Sequence, residues 1–158
     1  MRKAIWTAAL VGLASGMLAC GGGSEAGLGP PPTTVDGNWN LTVTNLHAVI
    51  QGATFTCNLS GTTLSLTQTG TSFSGSYSGG TMTCTYRGQN YSVPISGTGT
   101  VINGTLNGNA VTFDLDDPSF HFTGTAVENH MSGSCVLQGD LGPPIGVVTL
   151  NGTWQLSR

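Results

Sequence analysis

The chain has 158 residues, a net charge of −3 and only 7% charged residues. After Lys3 its only cations are Arg87 and Arg158, set against seven carboxylates. Two arginines cannot neutralise the phosphates that nucleic-acid binding requires, so this composition excludes that class of partner. It also removes the electrostatic attraction that anionic lipid head groups exert on basic proteins.

The N-terminus has the organisation of an export signal. A cationic start at residues 1–3 precedes an apolar run over residues 4–18, which is shorter than a membrane span. Met17-Leu18-Ala19-Cys20 resembles the lipobox of bacterial lipoproteins, which implies that residues 1–19 are removed and that Cys20 carries the acyl chains, palmitate among them. The alternative is an ordinary signal peptide cut near a chance cysteine.

Lipidation would determine where the protein resides. The resemblance implies a membrane partner reached through a lipid anchor in the cell envelope, and Gly21, in place of the aspartate linked to inner-membrane retention, favours the outer membrane. Residues 20–34 combine glycine with a run of prolines, which is typical of a linker. Residues 35–158 then suit a single domain with one core.

Almost every segment of that domain alternates apolar and polar residues with period two, the pattern of strands with one buried face. In chain order the apolar positions are Trp39, Leu41, Val43; Phe55, Cys57, Leu59; Leu64, Leu66; Phe73, Tyr77; Met82, Cys84, Tyr86; Tyr91, Val93, Ile95; Val111, Phe113, Leu115; Phe120, Phe122; Met131, Cys135, Leu137; Val148, Leu150, Trp154, Leu156.

Pairs rich in glycine separate these segments and predict tight antiparallel turns. They are Asp36-Gly37, Ser60-Gly61, Gly79-Gly80, Asn103-Gly104, Asn107-Gly108 and Asn151-Gly152. The chain is therefore predicted to be all-β, an antiparallel up-and-down β-barrel of about 8 to 10 strands, with a β-sandwich as the alternative. The similar ends Gly37-Asn38-Trp39 and Gly152-Thr153-Trp154 favour closure of first strand on last.

Gly37-Asn38-Trp39 also resembles the first-strand motif of the lipocalin and avidin families. The resemblance implies a barrel that holds one small apolar ligand, and an arginine, here Arg158, packed over Trp39. Leu41 stands where avidins have the asparagine that helps bind biotin, so biotin binding does not carry over. The predicted ligand-lining residues are Trp39, Tyr77, Phe113, Phe122 and Trp154, with space left by some of Gly75, Gly99, Gly124 and Gly133.

Three cysteines follow Cys20. Cys57 and Cys84 lie on apolar strand faces, and a disulfide between them would stabilise the domain by roughly 3 kcal/mol in an oxidising envelope. Cys135 is then a buried, inert thiol. Pairing of Cys135 with Cys57 or Cys84 stays open because geometry decides it.

Catalytic and metal-binding patterns are not evident in the sequence. Asp114, Asp116 and Asp117 form an acidic turn before Pro118, which offers part of a calcium shell but reads more simply as solvated. His121 is expected on the outer face. An enzyme would need His121 or His130 beside Cys135 or beside this turn. We expect no enzyme activity, no metal and no cofactor.

The sequence thus predicts a monomeric, non-enzymatic envelope lipoprotein whose barrel binds a small apolar molecule. The alternative is a protein-interaction module, such as a lipocalin-like protease inhibitor or an adhesin, which would use its loops. The apolar loop over residues 141–145 is the loop predicted for that role.

Overall fold

The structure is a computed structural model that describes residues 34–116, 119–140 and 146–158. The leader, Cys20, the linker up to Thr33, Asp117 and the loop over residues 141–145 lie outside the described residues. The described part contains no helix that is long and apolar enough to cross a bilayer.

Ten strands account for most of the described chain. They are β1 (Gly37–Ile50), β2 (Ala53–Thr69), β3 (Ser72–Ser78), β4 (Thr81–Tyr86), β5 (Gln89–Pro94), β6 (Thr98–Asn107), β7 (Ala110–Leu115), β8 (Ser119–Val127), β9 (His130–Asp140) and β10 (Val147–Ser157). All pairings are antiparallel and belong to one sheet, as the all-β prediction requires.

Eight of these strands close into a barrel-like ring. Their order is β1-β10-β9-β8-β7-β6-β3-β2, and β2 returns to β1. Val43 lies opposite Trp154 and Leu41 opposite Leu156, so the first and last strands meet as predicted. Closure hides one apolar face of every strand of the ring without leaving a free edge there.

The β4–β5 hairpin, called the wing below, lies outside this ring. β2 pairs with β3 through its second half and with β4 through its first half, and the register continues unchanged between the two. β3 and β4 are therefore one long strand interrupted at Gly79-Gly80. β5 pairs with β4 only and ends the sheet order.

Several predicted turns are wrong, because the glycines of these pairs lie inside strands. Ser60-Gly61 and Asn151-Gly152 lie inside β2 and β10, and Asn103-Gly104 lies inside β6. The register of β6 shifts between Ile102 and Thr105, and Asn103 has a φ of 55°, which marks a β-bulge rather than a hairpin. The Asn107-Gly108 turn is confirmed, since β6 ends at Asn107.

Burial follows the predicted alternation around the ring. Trp39, Leu41 and Val43 are buried in β1, and Met131, Cys135 and Leu137 are buried in β9. The prediction failed at Tyr91 and Val93, which are 51% and 57% exposed. They lie in the wing, where no strand covers the apolar face at the outer edge.

One end of the ring is closed by Trp39 and Arg158. The Trp39 indole donates to the Val35 carbonyl at 2.8 Å, and the Arg158 guanidinium lies 4.1 Å above the ring centre. Arg158 also donates to the Thr34 carbonyl at 2.9 Å. The contact expected between Arg158 and Trp39 is thus confirmed, and it joins the two ends of the domain by a cation–π interaction.

Nearby, Asp36 connects the start of the domain to β2. Its carboxylate accepts hydrogen bonds from the Gln68 backbone N–H and from the Thr34 hydroxyl. These two bonds, with a smaller contribution from Arg158, lower the pKa of Asp36 below its ordinary value.

Close approach of the strands leaves no room for a side chain at Gly133. A Cβ on Gly133 would lie 2.0 Å from the Thr123 carbonyl oxygen and 2.5 Å from the Gly124 Cα. Gly139 lies in the same strand with no atom within 4 Å of such a Cβ. Neither glycine has a positive φ, so the two positions differ in the space available for a side chain.

We expect Gly133→Ala to lower the free energy of unfolding by about 1–3 kcal/mol, because backbone atoms must shift to admit the methyl group. Gly139→Ala is the matched control and should change stability by less than about 0.5 kcal/mol. Urea denaturation followed by tryptophan fluorescence measures both. Equal stabilities of the two variants would contradict the close approach.

Candidate functional site

The ring interior holds the residues predicted to line a ligand cavity. Phe113 and Phe122 are stacked with their ring centres 4.5 Å apart, and Trp154 contacts both edge-on at 5.4 and 5.7 Å. Trp39 and Tyr77 are buried in the same hydrophobic core. The structure therefore brings three of the five predicted residues together, packed on one another.

Polar groups of this interior are already satisfied. The Trp154 indole N–H donates to the carbonyls of Thr123 at 3.1 Å and Ser134 at 3.0 Å. Within the described part of the chain, no buried side-chain nitrogen or oxygen lacks a hydrogen-bond partner. Among the described residues, the interior thus offers no unpaired side-chain group to orient a polar ligand atom.

The interior glycines do not leave empty space either. A Cβ on Gly99 would lie 2.3 Å from the Tyr77 ring, so that ring occupies the position. Gly75 and Gly124 face backbone carbonyls of neighbouring strands at 2.0 and 2.1 Å. Each of these glycines admits a close neighbour instead of widening a cavity.

Three concavities of the described residues lie toward the outside. One, of about 580 Å³, lies where β1 and β10 separate after the His47–Asn151 pair. Val49 and Val147 are among the residues that line it. One of about 590 Å³ lies beside Asp114 and His121, and one of about 310 Å³ lies at the interruption between β5 and β6. Of the five predicted ligand-lining residues, only Tyr77 lines one of these three, the concavity of about 310 Å³.

The acidic turn and the exposed histidine form a small outer cluster. His121 Nδ1 lies 2.5 Å from Asp114 Oδ1, and the Asn103 amide donates to Asp114 Oδ2 at 2.8 Å. Partial burial of Asp114 raises its pKa, but the hydrogen bonds from Asn103 and His121 outweigh it and leave the pKa lowered. Asp116 is used separately, because it accepts from the Thr100 hydroxyl and N–H.

This cluster offers few groups that could coordinate a metal ion. Among the residues that the structure describes, no three His, Cys, Asp or Glu side chains come close enough to hold a metal ion. His121 is exposed and Asp114 is half-buried at a sheet surface, where an ion pair contributes little to stability.

The cysteines are arranged as the preferred pairing predicts. Cys57 and Cys84 lie directly opposite each other in β2 and β4, with their Cα atoms 4.0 Å apart, and form a disulfide. Because β4 pairs with the ring only through β2, this bond fastens the wing to the ring. Cys135 is the free, buried thiol.

No histidine is placed to activate Cys135. Cys135 faces the interior opposite Phe122, whereas His121 lies one residue away on the outer face. His130 is exposed at the start of the same strand. Burial raises the pKa of Cys135 to about 11, and a hydrogen bond from the Gly152 backbone only partly opposes this.

A raised thiol pKa makes stability fall at alkaline pH. The neutral thiol stabilises the fold fully below the ordinary pKa of 9.0, and this contribution is lost as the pH rises toward about 11. We expect the free energy of unfolding to decrease more over this window in the wild type than in Cys135→Ala. Urea denaturation at several pH values tests this, and parallel pH profiles would contradict it.

The wing is the feature that sequence reasoning missed. Its strands show the same alternation as the ring, so Tyr91 and Val93 read as buried. Pro94, which cannot donate to a neighbouring strand, was the available signal of a sheet edge. Every residue of β5 is exposed.

Comparison with known proteins adds no family to this description. No family model, no curated protein and no solved structure matches the chain.

Proposed function

We propose that the protein is an exported, lipid-anchored β-barrel module that acts non-enzymatically, through contacts of its surface with other proteins. The single observation that carries this proposal is the contrast between interior aromatic rings packed on one another and an exposed apolar wing. Phe113, Phe122 and Trp154 occupy the interior. Tyr91 and Val93 of the wing are exposed to solvent.

The packing favours surface binding over carriage of a small apolar ligand. A carrier needs an apolar cavity of roughly 300 Å³ or more to enclose a molecule. Here the ring residues contact one another, and the concavities open outward and are lined in part by His47, Asn151 and Gln138. A ligand in the interior would have to displace stacked aromatic rings, at the cost of their mutual contacts.

Exposed apolar residues in the wing suit contact with protein. Tyr91 lies opposite Cys84 and Val93 opposite Met82, on the face that continues the ring interior. Cys84 is buried and Met82 packs against the core, so the apolar face extends from the core to the open edge. Aromatic side chains are enriched at protein interfaces, where they bury large area at low entropic cost.

The direction of the strands places the turn of the wing far from the tether. The tether enters the domain at Thr34, beside the start of β1. β3 and β4 run parallel to β1, since each pairs antiparallel with β2. The wing turn at Arg87-Gly88 therefore lies at the end of the domain opposite the tether.

Anchoring depends on Cys20. We expect Cys20→Ser to release the protein from the membrane fraction, because two or three acyl chains are needed for stable attachment and a serine cannot be acylated in this way. Fractionation of cells, followed by intact mass of the purified protein, measures the release and the lost lipid. Unchanged membrane association of the variant would overturn the lipid anchor.

The surface role is tested with a photo-crosslinking residue in place of Val93 in the full-length protein in living cells. We expect a crosslinked species larger than the monomer, since this position lies within the proposed contact. The same residue in place of Ile102, an apolar position that is 41% exposed in β6, is the matched control and should give none.

The competing role as a carrier is tested on the protein purified from its host without denaturation. We expect its native and denatured masses to agree. A bound small molecule that disappears on denaturation, together with no crosslink at position 93, would overturn the proposal in favour of ligand carriage.

A further inference from the structure

We propose that the partner of the wing is a second copy of this chain, joined by antiparallel pairing of β5 with β5 about a twofold axis at Ser92. This inference rests on the proposed surface function and departs from the expected monomer. It is carried by the free edge of β5, by the order of residues in that strand and by its lack of charge.

The geometry of the hairpin determines which backbone N–H and C=O groups of β5 face its free edge. The turn residues Arg87 and Gly88 have φ values of 49° and 75°, as in a two-residue type I′ hairpin. Tyr86 and Gln89 close this turn as a hydrogen-bonded pair, so the backbone groups alternate from there. The N–H and C=O of Asn90 and Ser92 and the C=O of Pro94 therefore point away from β4.

The strand is self-complementary about Ser92. With Ser92 opposite its own copy, Tyr91 lies opposite Val93 of the second copy, and Val93 opposite Tyr91. Aromatic and β-branched residues directly across two strands form a stabilising pair. The two residues with the exposed apolar surface thus cover each other twice, as an isologous interface requires.

The missing N–H of Pro94 is tolerated in this register. Pro94 lies opposite Asn90 of the second copy, whose N–H still donates to the Pro94 carbonyl. Two bonds between the Ser92 residues and one at each Asn90–Pro94 pair remain. One edge of β5 pairs with β4, and the dimer uses the other edge. The assembly therefore closes as a dimer instead of growing into a fibre.

Charge does not oppose this pairing. Residues 89–94 are all uncharged, although edge strands commonly carry lysine to prevent such association. The nearest charge, Arg87, lies beyond the end of the paired segment, 5.2 Å from the centre of its own Tyr86 ring. A charged or amphipathic partner would find no complementary charge on this strand.

Disulfide trapping in cells tests the register. Ser92→Cys in the full-length protein is expected to give a dimer band on a non-reducing gel that disappears on reduction. Ser76→Cys is the matched control, because Ser76 is an equally exposed serine in β3, which is paired on both edges. The control and the wild type, which retains the buried Cys135, are expected to give no disulfide-linked dimer band on this gel.

A charge placed on the axis provides the second measurement. In sedimentation of the full-length protein in detergent micelles, we expect Ser92→Glu to weaken dimer formation by about tenfold or more, because like charges then face each other directly. Ser76→Glu should leave the dimer intact. The Cys57–Cys84 disulfide, seen as a mobility shift on reduction, shows that each variant has folded.

Two results would overturn the inference. One is an absence of Ser92→Cys dimer above the Ser76→Cys control. The other is a protein that sediments as a monomer throughout. If position 93 still crosslinks, but to a different protein, the surface function stands and only the second copy is wrong. If position 93 gives no crosslink, both proposals fail.

Discussion

Pairing of β1 with β10 is the constraint on which the rest of this structure depends. These strands lie at the two ends of the domain, and their pairing converts a meander with two open edges into a ring. Once the ring is closed, every second side chain must fit a space of limited width. The Arg158–Trp39 contact and the bond from Arg158 to Thr34 hold the same seam at its end.

Closure explains why aromatic residues and glycines are matched inside. Phe113, Phe122 and Trp154 are large side chains, and Gly124 and Gly133 lie opposite each other where β8 and β9 approach closely. The Trp154 indole donates to carbonyls of the residues beside these glycines. In this part of the interior, protein groups pack on one another and satisfy the indole N–H.

The outside is unusual because it is polar without being charged. Hydroxyl pairs such as Thr44–Thr153 and Thr105–Thr112 replace the ion pairs seen on many sheets. Such a surface is insensitive to salt and lacks the lysines that discourage strand edges from pairing.

The sequence by itself determined the strand-rich class, the buried face of the ring strands and the meeting of first and last strands, because period-two patterning and similar strand ends are local features. The pairing of Cys57 with Cys84 was preferred from the sequence, but only the register of β2 and β4 decided it. Only the tertiary structure decided that Asn103 forms a bulge, that Gly99 receives the Tyr77 ring and that β4 and β5 leave the ring. These depend on which strand lies beside which, and a strand that is paired on one edge has the same alternation as one that is paired on both.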